Sequence, residues 1–340
     1  MTGIAALLAD ARERRMFSAA AFSTGDAHGA ADRGLLGTLS WEGEAVTEDS
    51  RWDLASVTKP IVGLAVMAMV ETGELTLDDT IADHLPDYVG TDKASLTVRD
   101  LLSHSSGLPG QVPLYKTAAT RAAMLAAIRE LPLAPVGSRV EYSSQGFILL
   151  GLIAESASGL SLDALLRERV TAPAGLQATT FGLPEALHPL AVATEDDPWR
   201  GRVIQGEVHD ENAVVLAAPA GHAGLFSTLG DLERLGQALV ADARGILSPA
   251  GYRAMIRPQT DHLQLRRSLA WQGTDAVGSP AGDLAGPNSY GHTGFTGTSL
   301  WVDPDAGRYV VLLTNRVHPS RDGTGFGRLR RQVHNLAFAL

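Results

Sequence analysis

The spacing of hydrophobic positions favours helices through the middle of the chain and strand-like runs only near its two ends. At the N-terminal end, Thr2–Arg15 has the apolar stripe of a helix, with Thr2 as its N-cap. The runs Phe17–Ser23 and Leu35–Trp41 are predicted to be strands, connected by the glycine-rich stretch Gly25–Gly34. The chain is therefore expected to begin with one helix followed by two strands.

The most apolar predicted helix is Ser56–Thr72, which is hydrophobic on every face and is therefore expected to be deeply buried. Gly73 is its expected end, because glycine readily adopts the left-handed conformation that terminates helices. Four more helices follow, each starting near a serine or threonine cap and ending near a glycine or proline. They are predicted at Thr97–Ser103, Thr120–Leu131, Ser144–Ser158 and Ser161–Val170.

The last third of the chain mixes helices with strands. Helices are predicted at Asp231–Val240, Pro249–Ile256 and Arg328–Leu340. Three arginines at the start of the last helix, Arg328, Arg330 and Arg331, are expected on its solvated face. A Pro-Asp-Ala-Gly turn joins the strands Thr298–Asp303 and Tyr309–Thr314, which predicts a hairpin.

Strands at both ends of the chain can share one sheet if the helical block between them is an insertion. The predicted hairpin favours antiparallel pairing, so we expect an α+β fold rather than a doubly wound parallel sheet. The expected organisation is a discontinuous sheet domain of residues 1–78 and 212–340, with a mainly helical inserted domain of residues 79–211.

Composition narrows the possible functions. Of the 340 residues, 45% are hydrophobic and 19% are charged, which is typical of a globular protein rather than a disordered one. A net charge of −10 argues against nucleic acid as a partner, because binding a polyanion needs a basic face. The absence of cysteine excludes disulfides, thiol catalysis and cysteine-ligated metal centres. No dinucleotide or phosphate-loop motif occurs, so no cofactor is predicted.

The N-terminal sequence does not have the pattern of an export signal, because charged residues interrupt and follow the apolar run Ile4–Ala9. The longest uninterrupted apolar run, Ile61–Val70, is shorter than the roughly 18 residues of a membrane span. We therefore expect a cytoplasmic protein without a membrane segment, and its expected partner is a small-molecule substrate.

The sequence Ser56-Val57-Thr58-Lys59 is the first candidate for chemistry. Residues three apart share a helical face, so the Lys59 ammonium can reach the Ser56 hydroxyl. A serine hydroxyl becomes a good nucleophile only when a base takes its proton. A buried lysine pays a desolvation cost when charged, which suits it to that role. The alternative is a capped helix whose lysine has no catalytic task.

Two further segments carry candidate groups. Tyr142 precedes the helix Ser144–Ser158 and could act on protons if a cation such as Lys59 stabilised its phenolate. The stretch Gly291–Gly297 contains three glycines beside a strand, which suggests close backbone approach to a ligand. His292 within it could supply a cation. The alternatives are a tyrosine with a hydrogen-bonded hydroxyl and a glycine-containing bulge.

The order Ser-x-x-Lys, Tyr-Ser-x and His-Thr-Gly resembles the three motifs of the penicillin-recognising serine hydrolases, in particular class C β-lactamases, their esterase relatives and certain D-amino peptidases. Three longer stretches are similar to segments of the same family. They are Asp53–Lys59, Leu101–Pro109 and Ala223–Thr228 followed by Asp231-Leu232. The resemblance extends from about residue 35 to residue 315.

The resemblance implies a β-lactamase/transpeptidase-like fold, in which an antiparallel sheet flanked by helices carries an inserted all-helical domain. It implies that Ser56 is acylated, and that Lys59 and Tyr142 share the proton transfers. His292 stands where many members have lysine. The backbone N–H groups of Ser56 and Phe295 would form the oxyanion hole. Substrate contacts are expected from Ser144, Thr293, Gly294, Asp210 and Asn212.

Two departures from the family pattern bear on the activity. Ser144 replaces an asparagine whose amide could bind a substrate carbonyl and support the lysine. His292 replaces a permanent cation by a titratable group. If a protonated His292 binds an acidic substrate group, kcat/KM is expected to decline as the pH rises through its pKa. Both departures weigh against strong β-lactamase activity.

The predicted function is a serine hydrolase that forms an acyl-enzyme on a carboxylic ester or a small amide. One alternative is a weak β-lactamase or D-amino-acid peptidase using the same site, and another is a ligand-binding protein that has lost catalysis. The His209–Asn212 stretch and His222 were weighed as a metal site, but their spacing matches no zinc helix pattern, so no metal is predicted.

Overall fold

The computed structural model describes residues 3–340. Its α-helices are α1 Gly3–Glu13, α2 Thr58–Thr72, α3 Ile81–His84, α4 Val98–Leu102, α5 Arg121–Glu130, α6 Ser144–Ser158, α7 Leu162–Leu166, α8 Glu211–Leu216, α9 Leu229–Val240, α10 Pro249–Ile256 and α11 Phe326–Phe338. Its strands are β1 Ala19–Asp26, β2 Gly29–Gly37, β3 Trp52–Asp53, β4 Thr180–Phe181, β5 Asp196–Asp197, β6 Arg202–Val203, β7 Leu225–Ser227, β8 Gln272–Gly273, β9 Tyr290–Thr293, β10 Ser299–Asp303 and β11 Arg308–Thr314. Single turns of 3₁₀ helix cover Ala55–Val57, Pro86–Tyr88 and Leu114–Lys116, a longer one covers Glu185–Leu190, and a π-turn covers Arg167–Thr171.

The main sheet has six strands in the order β2-β1-β11-β10-β9-β8, and every neighbouring pair is antiparallel. Strand β1 pairs with β11, so the two ends of the chain meet in one sheet. Two smaller sheets, β3-β7-β4 and β5-β6, lie outside it. The topology confirms the predicted α+β class. The domain boundaries at residues 78 and 212 stay a prediction.

Alternate residues of the central strands enter two different cores, as the two-residue period of a strand requires. In β1, Ala20 and Phe22 join a cluster with α1 and α11, whereas Ala19 and Ala21 join the larger core on the opposite face. Helix α9 packs on that opposite face against β1, β10 and β11. The sheet is therefore covered by helices on both sides.

Helix α2 runs through the larger core and confirms the prediction of a buried helix over Ser56–Thr72. Its side chains from Thr58 to Met69 are all buried. Gly73 ends it with φ +77°, the left-handed conformation that suits glycine. Residues Ala55–Thr72 are long and apolar enough to cross a membrane, but 78% of that segment is buried inside the protein.

The predicted helices in the rest of the chain are confirmed within a few residues. In four of them the hydroxyl of the predicted N-cap region accepts a backbone N–H of the first turn, which satisfies a donor that the helix itself leaves free. These caps are Thr97, Thr120, Ser143 and Ser248. Ser161–Val170 forms α7 and the π-turn that continues it. The hairpin of β10 and β11 is also confirmed.

The predicted strand Leu35–Trp41 is correct only for Leu35–Gly37, and the connection assigned to Gly25–Gly34 is wrong because most of it is strand. Strand β2 occupies Gly29–Gly37 and follows β1 after a two-residue turn. Gly34 serves packing here, because a Cβ on it would lie 2.6 Å from the ring of Phe22. This edge strand is partly or fully exposed on both faces. Its sequence therefore does not alternate between apolar and polar residues as a half-buried strand would. Thr2, the predicted cap of α1, lies outside the described residues.

Candidate active site

Ser56 lies in the 3₁₀ turn that joins β3 to α2, at the floor of a cleft. The turn is held by the buried carboxyl of Asp53, which accepts the N–H of Ala55 at 2.7 Å and the N–H of His209 at 2.7 Å. Burial raises the pKa of Asp53. The segment before the serine is therefore tied to the distant loop that carries His209.

Lys59 is fully buried in the first turn of α2. Its Nζ donates to Ser56 Oγ at 3.0 Å and to the backbone oxygen of His222 at 3.0 Å. The predicted contact between Ser56 and Lys59 is therefore present in the structure. A proton can pass directly between the hydroxyl and the amine at this distance.

Tyr142 lines the same cleft as Ser56, and its ring centroid lies 4.9 Å from Lys59 Nζ. The ring also contacts two imidazoles, with centroids 4.7 Å from that of His104 and 5.8 Å from that of His292. His104 Nδ1 accepts the N–H of Ser143 at 3.0 Å, and burial keeps the pKa of His104 well below its usual value. A neutral imidazole thus holds the segment that presents Tyr142.

The turn after β9 is fastened to the segment before Ser56. Thr298 and Thr296 donate their hydroxyls to the backbone oxygens of Leu54 and Asp53, at 3.0 and 2.8 Å. These bonds hold the turn that carries Phe295 against the segment that carries Ser56. Within residues 3–340, the backbone hydrogen bonds formed outside helices and strands use neither the N–H of Ser56 nor that of Phe295, so both are candidates for binding a substrate oxygen.

His292 and Thr293 line the cleft from β9, but His292 does not supply the expected cation. Burial, together with the positive charge of Lys59, lowers the pKa of His292 to about 3. Its Nδ1 lies 2.9 Å from the oxygen of Thr293. At this pKa the imidazole is uncharged near neutral pH, so a decline of kcat/KM through a titration of His292 is not expected there.

Arginines supply the positive charge instead. Arg267, Arg316 and Arg330 line the cleft together with Thr293 and Gly294. Arg267 is 7% exposed, and burial lowers the pKa of Arg330 to about 9. The expectation that Arg330 lies on a solvated face of α11 is wrong, because its guanidinium points into this cleft.

Phe295 separates the cleft from a second recess that also reaches Ser56. Its ring stacks on His209 with centroids 5.7 Å apart, and the guanidinium carbons of Arg316 and Arg321 lie 4.5 and 5.5 Å from its centroid. Arginines stacked on an aromatic face restrict its movement and favour one orientation. The site therefore has an arginine-lined side and a second side beyond this ring.

The second recess brings together the remaining predicted site residues, Ser144, Asp210 and Asn212. Asn212 accepts the N–H of Tyr115 at 2.9 Å and donates to the oxygen of Val112 at 2.8 Å. Its amide therefore shapes the recess by holding the 111–116 segment. Its direct contact with substrate stays a prediction.

Asp210 caps α8 and bonds to a buried histidine. Its Oδ1 accepts the N–H of Ala213 at 2.9 Å and lies 2.9 Å from His222 Nε2. Burial raises the pKa of Asp210, but His222, the N–H of Ala213 and the charge of Lys59 outweigh it and hold that pKa below its usual range. Within residues 3–340 no group of three or more metal-ligating side chains could hold a metal ion.

Residues 4–335 match the family model described as Beta-lactamase. The chain belongs to the β-lactamase family of serine hydrolases. A protein of Escherichia coli (strain K12) named "Putative D-alanyl-D-alanine carboxypeptidase" is 31% identical over 313 residues, which cover 80% of this chain and 70% of that protein.

Solved structures confirm the predicted β-lactamase/transpeptidase-like fold. The structure described as "EstCE1, a hydrolase with promiscuous acyltransferase activity" has a TM-score of 0.81 at 22% identity, over 98% of this chain and 97% of that one. Unliganded simvastatin synthase (LovD) from Aspergillus terreus has a TM-score of 0.77 at 20% identity, over 99% and 97% of the two chains.

Sequence reasoning on this β-lactamase-family chain missed several groups at the site. Arg267 and Arg316 lie in loops without a recognisable motif, so no sequence pattern marks them. The residue type of His222 suggests only a metal ligand, whereas its backbone oxygen and its ring hold Lys59 and Asp210. A backbone oxygen leaves no residue-type signal in a sequence.

Proposed function

We propose that this protein hydrolyses carboxylic esters or small amides through an acyl-enzyme on Ser56. The observation that carries the proposal is the 3.0 Å contact between Lys59 Nζ and Ser56 Oγ at the floor of a cleft. A hydroxyl in hydrogen-bond contact with an amine can lose its proton as it attacks a carbonyl carbon.

In the first half of the reaction, Ser56 Oγ forms a bond to the substrate carbonyl carbon while its proton passes to Lys59, with Tyr142 beside it. The carbonyl oxygen becomes negative and accepts the N–H groups of Ser56 and Phe295. The bond to the leaving group then breaks, and the leaving group takes the proton. In the second half, water loses a proton to the same pair and attacks the acyl carbon. The bond to Ser56 Oγ then breaks, Oγ takes that proton back, and the acid is released.

The test is hydrolysis of a short-chain p-nitrophenyl ester by wild type, Ser56→Ala and Ser95→Ala. Ser95 is exposed and is not among the residues that line the cleft, so it serves as the matched control. We expect the wild type and Ser95→Ala to turn over and Ser56→Ala to lose at least 1,000-fold in kcat (about the scale of a lost nucleophile). Intact-protein mass spectrometry should show an acyl adduct that Ser56→Ala lacks. Equal turnover by Ser56→Ala would overturn the proposal, and ligand binding with no adduct would support a non-catalytic protein.

A second candidate function is cleavage of D-amino-acid peptides that end in a free carboxylate. The observation that favours it is the arginine side of the cleft, since guanidinium groups pair with carboxylates in a fixed geometry. The name of the E. coli relative supports the same candidate. A weak β-lactamase activity would use the same groups, because β-lactams also carry a carboxylate.

The matched substrates for this candidate are a D-alanyl-D-alanine peptide and its C-terminal amide. If the arginines bind the carboxylate, Arg267→Gln is expected to raise KM about tenfold for the acid, or about 1.4 kcal/mol, and to leave the amide unaffected. Equal KM changes for both substrates would count against it. A chromogenic cephalosporin measured in parallel gives the β-lactamase rate.

A further inference from the structure

His222 connects the candidate base to a carboxylate. Its backbone oxygen accepts a hydrogen bond from Lys59 Nζ at 3.0 Å, and its ring Nε2 lies 2.9 Å from Asp210 Oδ1. The residue is fully buried. One histidine therefore touches the ammonium through its main chain and the carboxylate through its side chain.

Both ends of this connection are fixed by packing. A Cβ on Gly221 would lie 2.1 Å from the oxygen of Phe147, so the chain before His222 is pressed against α6. Asp210 is held at the start of α8 by the N–H of Ala213. The backbone before His222 and its ring are therefore both held in place, which restricts the movement of the carbonyl that accepts from Lys59.

Asp210 also provides the negative charge that acts on Lys59. Among the described residues, the hydrogen bonds of the Lys59 ammonium go to Ser56 and His222, neither of which carries a negative charge in this contact. The charge of Lys59 contributes to the low pKa of Asp210. Because electrostatic coupling is reciprocal, the carboxylate stabilises the ammonium by the same interaction.

We propose that Asp210 and His222 form a positioning pair that sets the location and the proton affinity of Lys59. The inference rests on the proposed function, in which Lys59 takes the proton of Ser56. Neither residue of the pair takes part in bond making. A stronger base captures the serine proton more readily, whereas an unsupported buried amine would be a weaker one.

Among the described residues, the titratable groups around Lys59 other than Asp210 are not carboxylates. They are the imidazoles of His104, His222 and His292 and the phenol of Tyr142. Arg267 adds positive charge near Tyr142. Asp210 is therefore the group whose removal should change the titration of Lys59 most.

The chain has three lysines, Lys59, Lys93 and Lys116, so its lysine side chains can be followed individually. Protein labelled with ¹³C-lysine gives three side-chain NMR signals, and Lys93→Arg and Lys116→Arg assign them. We expect Asp210→Asn to lower the Lys59 titration midpoint by about one pH unit, since an adjacent opposite charge shifts a pKa on that scale. The asparagine side chain retains an oxygen that can accept the N–H of Ala213 at the start of α8 and bond to the ring of His222.

Glu211→Gln is the matched control, because Glu211 is the neighbouring carboxylate and pairs with Arg321 rather than with His222. It is expected to leave the Lys59 midpoint unchanged. An unchanged midpoint in Asp210→Asn, or an equal shift in Glu211→Gln, overturns the proposal. If Asp210→Asn does not fold, Asp210→Ser keeps an oxygen for the cap of α8, removes the negative charge, and should shift the midpoint in the same direction.

Activity provides an independent second readout. Removing the negative charge makes the neutral amine available at lower pH, so the acid limb of kcat/KM for the p-nitrophenyl ester should move down with the NMR midpoint. A limb that stays in place while the NMR midpoint moves overturns the link to the reaction. If wild type shows neither turnover nor an adduct on Ser56, the proposed function fails, whereas the NMR shift still decides the pairing of Asp210 with Lys59.

Discussion

Thr298 donates its hydroxyl to the backbone oxygen of Leu54 at 3.0 Å, across 244 positions of sequence. This bond fastens the turn that carries Phe295 to the segment that carries Ser56. The two N–H groups proposed for the oxyanion hole come from different ends of the chain, and their spacing depends on tertiary contacts of this kind. A small displacement of the turn should therefore affect catalysis more than stability.

Gly294→Ala tests this relationship. An added Cβ would lie 2.4 Å from the oxygen of Leu54, which would move the turn and the N–H of Phe295 with it. We expect kcat for a p-nitrophenyl ester to fall about 100-fold, the scale of one lost oxyanion donor. Gly230→Ala is the control, because its Cβ has its nearest neighbour at 3.8 Å in α9. An unchanged kcat in Gly294→Ala would show that Phe295 does not bind the oxyanion.

Lys59→Arg separates the charge of Lys59 from its capacity to accept a proton. Arginine retains a cation but does not deprotonate in proteins, so it cannot take the serine proton. We expect the rate of acylation, measured by stopped flow, to fall about 10²- to 10⁴-fold. Lys93→Arg is the control, since Lys93 is equally buried and bonds to Asp92 away from the cleft. Acylation within tenfold of wild type would exclude Lys59 as the base.

The helical framework could be predicted because its signals are local. Thr120, Ser248 and Gly73 mark helix ends through bonds or backbone angles within four residues of themselves. Strand β2 could not be located in the same way. Its Gly34 accommodates the ring of Phe22 in the neighbouring strand, and that contact appears only once the sheet has formed.

The residues of the candidate site can be separated in the same way, into those predicted from local spacing and those that depend on the folded structure. Ser56 and Lys59 are one helical turn apart, so their contact follows from spacing. The charge of His292 does not, because it depends on burial and on Lys59, which is far away in sequence. The arginines of the cleft likewise come from separate loops and from α11. Residue type identified the candidates, whereas their electrostatic state required the three-dimensional arrangement.

His292→Gln tests the neutral state of that imidazole. With the pKa of His292 lowered to about 3, its charge does not change between pH 5 and pH 9. We expect kcat/KM in the variant to differ in magnitude while the positions of its acid and alkaline limbs remain those of the wild type. An alkaline limb near pH 6.5 in the wild type that disappears in the variant would contradict this and restore a cationic role.

Another buried histidine, His334, is expected to reduce the stability of the protein in acid. His334 is fully buried, with Nδ1 2.7 Å from the oxygen of Pro280 and Nε2 3.0 Å from Ser299 Oγ. Burial, with the charge of Arg330, lowers its pKa to about 3. The unfolded chain takes up this proton near pH 6.5 while the folded protein does not, so stability is lost as the pH falls from about 6.5 toward 3.

His334→Gln removes that titration and keeps groups able to donate and accept. Between pH 7 and pH 5, the free energy of unfolding of the wild type is expected to fall by about 2 kcal/mol more than that of the variant. Urea unfolding at the two pH values measures the difference. His28→Gln, in the exposed turn between β1 and β2, is the control and should follow the wild type at both values. Parallel losses in the wild type and in His334→Gln would show that the imidazole is already protonated in the folded protein at pH 5.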